Sequence, residues 1–469
     1  MYVMHKEGLR NNNWRMIRKL NENLTAKINT KHGQTRTIKI TDSIRQGGVL
    51  SVIQYAILMD EFAKEIKARD MGADVQQIGE TIGCLLWVDD VALITSDKEE
   101  MQRMLNIVDD IAKRYHIEFG KDKSKALKIG GKPENSTFKL GDMEIEYTNK
   151  YKYLGCIQND KNNMKDHIAE VKGKAEAAYQ TVMTVAGDMA FRNMEMETIW
   201  ETVESCIVSV ITYGIEALQP NKGETKELNR ILDNILKRIL MVPTTTPREA
   251  LYIETGLLDI EATIQKNTVN TENRIRKGQN KYMQKIIKID QKGSWKKHND
   301  EIKQKSGIQE DDMEQKRNRT KGKVHEKIAN AFKNRIESSG EDKSKVKHLI
   351  EGKGEWKPNR RQKYMSRLTR MEVSVIFKAR TRMLDVKDNF RNKYRDDICR
   401  KCRVEKETQK HVLDECPGIH ETDMSRVAKE DIFSDDVHKL KETAEKIHKI
   451  MQTIDDSAAP HNGVSYSGI

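Results

Sequence analysis

Long apolar segments are absent from this chain of 469 residues, of which only 37% are hydrophobic. No run of about 18 apolar residues occurs, which argues against a membrane-spanning helix. The N-terminus, Met1-Tyr2-Val3-Met4-His5-Lys6, lacks the apolar segment of a signal peptide. The six cysteines are too few for a disulfide scaffold in so long a chain. We therefore expect an intracellular protein of two to four domains.

The excess of positive charge is confined to one part of the chain. Residues 271–370 contain 29 Lys and Arg but 14 Asp and Glu, a net charge of +15, whereas the whole chain carries +12. A concentrated basic segment is typical of proteins that bind a polyanion such as nucleic acid. A solvated, partly disordered linker has the same composition. Trp295 and Trp356 lie among these charges and are candidates for stacking on bases.

A pair of aspartates, Asp89 and Asp90, separates two apolar runs, Cys84–Val88 and Val91–Ile94. This pattern predicts a buried β-hairpin with both acids at its turn. Two divalent ions roughly 4 Å apart catalyse phosphoryl transfer by holding the attacking and leaving oxygens, and carboxylates are their natural ligands. An ordinary turn also favours Asp, and the pair taken alone favours that interpretation.

Upstream, Arg45-Gln46-Gly47 precedes an apolar, helix-like stretch from Val49 to Phe62. Gly47 lets the backbone approach a ligand closely. Arg45 and Gln46 are candidates for contacting phosphate or a template nucleotide. A glycine-rich helix start with an exposed arginine is the alternative.

Two further segments follow the aspartates. Lys123 lies in the basic run 121–125, where it is a candidate for contacting a triphosphate; a solvated charge run is equally consistent. Tyr153-Leu154-Gly155 ends a short aromatic strand, a pattern that also fits the core of a hairpin.

The order RQGxxLS, WVDD, KSK and YLG resembles the later palm motifs of reverse transcriptases of the non-LTR retrotransposon type. The resemblance covers roughly residues 10–260 and, more weakly, the C-terminus. It implies an RNA-directed DNA polymerase that acts by two-metal nucleotidyl transfer. It also implies Mg²⁺ or Mn²⁺ as the cofactor, an RNA template and a DNA primer or target as partners, no membrane, and a location in the nucleus and cytoplasm.

The resemblance assigns a role to each motif. It implies that Asp89 and Asp90 are the catalytic, Mg²⁺-binding carboxylates. The remaining residues would bind the nucleotide and template (Arg45, Gln46, Gly47 and Lys123) or grip the primer (Tyr153, Leu154 and Gly155).

One motif of the family is missing. Its first catalytic aspartate belongs to a strand upstream of the RQG motif, and the only acids before Arg45 are Glu7, Glu22 and Asp42. Asp42 is too close to Arg45 to come from a separate strand. We therefore expect an N-terminally truncated polymerase that is inactive as this chain. The alternatives are a nucleic-acid-binding remnant without catalysis and a non-functional relic.

Near the C-terminus, Cys399, Cys402, His411 and Cys416 form a CxxC-x8-H-x4-C pattern. Three thiolates and one imidazole with this spacing predict a tetrahedral Zn²⁺ site. Basic residues surround it, as in zinc modules that hold nucleic acid. A redox pair or a chance cluster is the alternative.

These patterns together predict an α+β fold. We expect a partial reverse-transcriptase palm, a helical thumb-like region, a basic segment that is helical or disordered, a small zinc-knuckle-like module, and a final helix with a polar tail. The expected boundaries are 1–163, 164–265, 266–365, 366–425 and 426–469. Helices are predicted at 11–24 and 98–115, and hairpins at 26–40 and 138–145.

Overall fold

A computed structural model describes residues 1–40, 48–130, 137–186, 196–291, 293–420 and 426–455. The chain divides into two compact units. The first contains Met1–Tyr153 and Gln158–Asn162, and the second contains Leu154–Ile157 and the chain from Asn163 onward. In the described ranges, no helix combines the length and the apolar content that crossing a lipid bilayer requires.

The first unit mixes helices with short strands. Its helices are α1 Tyr2–Lys6, α2 Asn11–Asn21, α3 Ser51–Ala68 and α4 Lys98–Tyr115, with 3₁₀ turns at Gln76–Ile78 and Lys121–Lys123. The strands up to the unit boundary are β1 Thr25–Ala26, β2 Asn29–Thr30, β3 Gly33–Gln34, β4 Ile38–Lys39, β5 Ala73–Val75, β6 Glu80–Ile82, β7 Cys84–Trp87, β8 Asp90–Leu93, β9 Ala126–Leu127, β10 Phe138–Leu140, β11 Met143–Ile145, β12 Tyr147–Thr148, β13 Lys150–Tyr153 and β14 Cys156–Asn159.

The strands pair two by two. β1 pairs with β4, β2 with β3, β5 with β6, β7 with β8 and β10 with β11, all antiparallel, and β12 pairs with β9 in parallel. In the described residues these ladders do not join into one larger sheet. Strands of two to four residues offer too few backbone hydrogen bonds to template a wide sheet.

Helices α3 and α4 build the core of the first unit. Helix α4 begins at Lys98 because Asp97 accepts a hydrogen bond from the Glu100 N–H (2.6 Å) and so caps the first turn. Its apolar face packs with α3 and with the β10–β11 hairpin. The buried core residues are Met59, Phe62, Ile66, Met71, Met104, Leu105, Val108, Ile111, Phe138, Leu140 and Ile145.

The second unit is helical apart from the short strand pieces near its boundary. Its helices are α5 Lys165–Ala186, α6 Met196–Thr202, α7 Ser209–Thr212, α8 Ile215–Leu218, α9 Lys222–Ile239, α10 Arg248–Thr255, α11 Ile260–Arg276, α12 Lys281–Ile286, α13 Trp295–Ser306, α14 Glu310–Glu314, α15 Arg317–Gly340, α16 Ser344–Lys353, α17 Lys363–Arg367, α18 Arg370–Arg380, α19 Pro417–His420, α20 Lys429–Ile432 and α21 Val437–Asp455. A π-helical segment, Val203–Val208, joins α6 to α7; a 3₁₀ turn covers Lys387–Phe390, and a second π-helical segment covers His411–Glu415.

One hydrophobic core extends through this second unit, from Met164 to Ile454. The regions expected to be thumb, basic segment and zinc module all contribute to it. Leu236 belongs to α9, Phe332 to α15 and Cys399 to the zinc-ligand segment, and each is at most 2% exposed.

The basic segment is largely helical in the residues that the structure describes, and part of its charge is internal. Arg335 of α15 forms an ion pair with the fully buried Asp259 (2.9 Å), and Lys303 lies 3.1 Å from the buried carboxylate of Glu272. Trp356 is only 2% exposed and donates a hydrogen bond to Glu337 (2.9 Å). The prediction that Trp356 stacks on bases is therefore wrong, because its ring lies in the core.

Candidate functional site

Asp89 and Asp90 lie at the tip of the β7–β8 hairpin, in the first unit. Trp87 pairs with Asp90, so Val88 and Asp89 form a two-residue turn and Asp90 begins β8. Both carboxylates are exposed. The hairpin itself is only half buried, since Leu85 and Trp87 are 42% and 62% exposed. The expectation of a buried hairpin is wrong for that face, because the ladder has two strands and one side of it faces solvent.

The turn holds its first residue in an unusual backbone conformation. Val88 has a φ of 55°, in the left-handed region that β-branched residues rarely adopt. Such a conformation costs of order 1–3 kcal/mol, and residues of this kind cluster at functional sites. The sequence gives no sign of this strain, since Val is an ordinary strand residue.

The charges of the two aspartates act on two tyrosines from separate elements. Burial and the nearby Asp89 carboxylate raise the pKa of Tyr55, which belongs to α3. Burial and then the Asp90 carboxylate raise the pKa of Tyr153, at the end of β13. The helix that follows the RQG motif and the strand that begins the YLG motif therefore both reach the aspartate hairpin.

Lys123 lies on a 3₁₀ turn, with its side chain exposed. Its carbonyl oxygen accepts a hydrogen bond from the Tyr151 hydroxyl (2.7 Å), and its N–H donates to the Gly120 carbonyl (3.1 Å). Tyr151 and Tyr153 are half-buried residues of the same strand, two positions apart, so they share one of its faces. Strand β13 thus contacts the lysine segment, and it ends near enough to Asp90 for that carboxylate to raise the pKa of Tyr153.

Leu154 and Gly155 form the turn after β13, and both have positive φ (46° and 84°). Within the second unit, the Tyr213 hydroxyl donates a hydrogen bond to the Leu154 carbonyl (3.2 Å). A Cβ at Gly155 would lie 2.9 Å from the Tyr213 ring, so no larger residue fits without a shift. Tyr213 is a contact of this motif that the sequence pattern did not indicate.

Arg45, Gln46 and Gly47 lie outside the described residues. Among the residues that are described, no third His, Cys, Asp or Glu joins Asp89 and Asp90 in a group able to hold a metal ion. Two exposed carboxylates suit a hard divalent cation, but a two-metal site requires more oxygen ligands than this pair supplies.

The predicted zinc ligands do come together, in the second unit. The three sulfur atoms and one imidazole nitrogen lie within 4.8 Å of one another. The sulfurs of Cys399 and Cys416 are 3.8 Å apart, and the Cys402 sulfur is 3.3 Å from Nε2 of His411. Ligands at the corners of a tetrahedron around zinc, with Zn–S of 2.3 Å, lie about 3.8 Å apart, whereas disulfide sulfurs lie about 2 Å apart. The four residues fit a zinc ion.

The local backbone explains the spacing of these ligands. Cys399 and Cys402 belong to a tight turn, in which the Arg403 N–H donates to the Cys399 carbonyl (3.0 Å). His411 and Cys416 are joined by the π-helical segment, in which the Cys416 N–H donates to the His411 carbonyl (2.7 Å). This bond spans five residues rather than four, which brings a histidine and a cysteine five positions apart to the same site.

Two glutamates support the ligands. The Glu405 carboxylate lies 3.1 Å from Nδ1 of His411, and this leaves Nε2 facing the cysteines. Glu407 is fully buried and accepts hydrogen bonds from the Arg400 N–H (2.7 Å) and the Lys387 N–H (3.1 Å). The Arg400 side chain also binds Glu407 (2.8 Å), so this ion pair holds the turn between the first two ligands. The ligand pattern in the sequence did not indicate either glutamate.

The surroundings shift the pKa values of the Cys402 and Cys416 thiols in opposite directions. Burial raises the pKa of Cys402, but hydrogen bonds from the Glu405 and Val404 N–H groups and from His411 lower it to about 7 overall. Burial and the neighbouring Cys399 raise the pKa of Cys416 to about 12. Zinc binds thiolates, so zinc binding at this site displaces at least the proton of the Cys416 thiol.

Residues 12–158 match the family model described as reverse transcriptase (RNA-dependent DNA polymerase). The match covers about a third of the chain and includes the aspartate hairpin, α3, the Lys123 turn and β13. No curated protein matches this chain. The resemblance to reverse transcriptases is confirmed for residues 12–158. Reverse transcriptases act on nucleic acids with the help of divalent metal ions.

Proposed function

We propose that this chain carries the metal-binding part of the palm of an RNA-directed DNA polymerase of the non-LTR retrotransposon type. The observation that carries the proposal is the Asp89-Asp90 hairpin, against which α3 and β13 place Tyr55 and Tyr153. An ordinary Asp-Asp turn would not require these motifs to occur around it in this order. The match of residues 12–158 to the reverse transcriptase family supports the same function.

In this proposal Asp89 and Asp90 bind Mg²⁺ or Mn²⁺, and Lys123 contacts the incoming nucleotide. The main-chain bonds of Lys123 to Gly120 and Tyr151 hold its turn, so that its exposed ammonium group is presented from a fixed backbone. Tyr153, Leu154 and Gly155 contact the primer strand. Arg45, Gln46 and Gly47 complete the nucleotide and template contacts.

We expect the polypeptide of residues 1–469 to show little or no Mg²⁺-dependent primer extension on an RNA template. The reason is that the described residues provide two carboxylates at the hairpin and no third ligand beside them. Extension is measured with the wild type and with Asp90→Asn. Asp74→Asn is the matched control, since Asp74 is an exposed strand residue of the same unit.

Metal-dependent extension that is lost in Asp90→Asn and retained in Asp74→Asn would contradict the expected inactivity while supporting the polymerase. The palm itself is tested by Mn²⁺ binding. Paramagnetic Mn²⁺ should broaden the ¹⁹F signals of fluorotyrosine at Tyr55 and Tyr153, and the broadening should disappear in a double Asp89→Asn, Asp90→Asn variant. Sharp signals in the wild type at millimolar Mn²⁺ would refute the metal site.

The second candidate function is nucleic-acid binding without catalysis. The Cys₃His cluster favours it, because its ligand geometry fits zinc and exposed Lys410 and Arg403 lie close to it in the chain. The net charge of +15 in residues 271–370 points the same way. Binding through phosphate contacts weakens steeply with salt, since each contact releases counterions. Affinity that does not change between low and moderate salt would contradict this function.

A further inference from the structure

The hairpin of β1 to β4 is a surface that none of the motifs above includes. Residues 23–40 contain Lys27, Lys31, Arg36 and Lys39 but no Asp or Glu, although 72 of the 469 residues of the chain are acidic. All four basic side chains are exposed. Within the described part of the chain, none of them forms an ion pair. We call residues 25–39 the basic ribbon.

Three exposed cations elsewhere in the first unit have carboxylate partners. Lys64 lies 2.8 Å from Glu7, Arg69 lies 2.6 Å from Glu65, and Lys113 lies 2.6 Å from Asp109. In each of these pairs, the carboxylate neutralises the positive charge of its partner at the surface. The basic ribbon lacks such partners in the described residues, so its positive charge is open to an external anion.

The pairing register sorts the side chains of the ribbon onto two faces. Thr25 pairs with Lys39 and Ala26 with Ile38, whereas Asn29 pairs with Gln34. Directly paired residues share a face, and residues alternate along a strand. One face therefore holds the cations and amides (Thr25, Lys27, Asn29, Gln34 and Lys39), and the other holds the apolar residues (Ala26, Ile28 and Ile38).

A bulge adds a further charge beside Lys27. Lys27 and Ile28 on the first strand lie opposite three residues, Thr35 to Thr37, on the second. The Thr35 N–H donates to the Ile28 carbonyl (3.0 Å), so Arg36 and Thr37 both lie opposite Lys27. An extra residue of this kind increases the local twist and redirects the side chains of its strand. Arg36 thereby lies across the ribbon from Lys27.

We infer that the basic ribbon binds the sugar–phosphate backbone of a nucleic-acid duplex. A two-stranded ribbon fits a duplex groove about 12 Å wide, and residues 25–31 span about 20 Å, or roughly six base-pair steps. Asn29 and Gln34 lie on the charged face, where their amides can reach base edges. Single-strand binding relies on aromatic stacking, and residues 23–40 contain no Phe, Tyr or Trp.

The arrangement does not suit a lipid surface. A membrane-binding element presents its apolar and basic groups toward the same bilayer, whereas Ile28 and Ile38 lie on the face opposite Lys27 and Lys39. The inference rests on the proposed function only for the class of partner, because the ribbon lies within residues 12–158 that resemble reverse transcriptases.

The test compares two triple variants of the full chain that carry the same change in net charge. The ribbon variant is Lys27→Gln, Arg36→Gln and Lys39→Gln. The control variant is Lys64→Gln, Arg69→Gln and Lys113→Gln, in which the cations that are lost already have carboxylate partners. The affinity for a B-form DNA duplex is measured over a series of salt concentrations. Each lost phosphate contact should reduce the slope of log affinity against log salt by about 0.9.

We expect the ribbon variant to lose between two and three units of slope and the control variant to retain the wild-type slope. Equal slopes in all three proteins, an equal loss in both variants, or a loss seen only with single strands or anionic vesicles would overturn the inference. Hydrogen exchange gives an independent readout on the unaltered chain. An isolated two-stranded ribbon is marginally stable, so the duplex should protect the amides of residues 25–40. The measurement needs no catalysis, so a failed polymerase assay does not affect it.

Discussion

Cys402 is the candidate zinc ligand whose replacement should separate metal binding from folding most cleanly. It is half buried, whereas Cys399, His411 and Cys416 are each at most 2% exposed. Substitution of a buried ligand disturbs the core as well as the metal, but substitution of Cys402 mainly removes one thiolate. In a Cys402 variant, the adjacent His411 keeps its contact with Glu405.

We predict that Cys402→Ser lowers the zinc content of the purified protein from one equivalent toward zero, because three remaining ligands hold zinc much more weakly. Metal content is measured by elemental analysis after dialysis. Cys206→Ser is the control, since Cys206 is exposed and is not part of the cluster. One equivalent of zinc retained in Cys402→Ser would contradict the site.

The sequence indicated the four residues that come together in the Cys₃His cluster, because C-x2-C with a histidine and a cysteine downstream is a local pattern with a geometric reason. It did not indicate Glu407 or Tyr213. Glu407 is fully buried, and Tyr213 bonds to Leu154, which is 59 positions away in the sequence. Contacts of that kind depend on how helices pack, and no spacing in the sequence records them.

At the scale of elements, α14 and α15 are held together by the Asp312 carboxylate. It lies 2.6 Å from Lys327 and 3.2 Å from Lys323, and it accepts a hydrogen bond from the Gln309 N–H (2.9 Å). The hydrogen bond from Lys327, then that from the Gln309 N–H, lower the pKa of Asp312 from 3.8 to about 2.

We predict that Asp312→Asn destabilises the second unit at neutral pH by about 1–2 kcal/mol. The pKa is lower in the folded than in the unfolded state, so the stabilisation is present above the unfolded value. It should be lost between about pH 5 and pH 2 as the carboxylate is protonated. Thermal unfolding at pH 7 and pH 2 measures the difference. Asp311→Asn is the control, because Asp311 is exposed. A difference that persists at pH 2 would show that the carboxylate charge is not its cause.

Elements with their own signals were predictable. Helix α4 covers the predicted residues 98–115, because its apolar spacing and the Asp97 cap agree, and the β10–β11 hairpin lies within the predicted 138–145. The fold of residues 281–353 was less predictable from the sequence. Its helices α12 to α16 are rich in Lys, Asn and Gln, and a few apolar residues such as Val324, Ile328 and Phe332 pack them into the core of the second unit.

At the scale of the whole molecule, each compact unit has its own hydrophobic core. The zinc ligands Cys399 and Cys416 belong to the core of the second unit. The Arg400 side chain extends that connection, since it donates to the Asp385 carbonyl (2.6 Å) and pairs with Asp455 at the end of α21 (3.2 Å).

We predict that a zinc chelator increases hydrogen exchange in the second unit, in residues 383–420 and in α21, and leaves α4 of the first unit unchanged. Zinc binding contributes folding free energy wherever the ligands are part of the packed structure. Mass-spectrometric exchange is followed with and without the chelator. The Cys402→Ser variant should show no further increase. A faster exchange of α4 on chelation would contradict the assignment of zinc to the second unit alone.

The position of the zinc ligands within a shared core has a consequence for protein engineering. Zinc fingers are usually grafted from one protein to another as portable cassettes. A graft of residues 366–425 would carry Val412, Leu413 and Ile419, which are at most 2% exposed here, into a host without their packing partners. The candidate metal site is completed by its packing against neighbouring helices, so we expect it to be transferable only together with those helices.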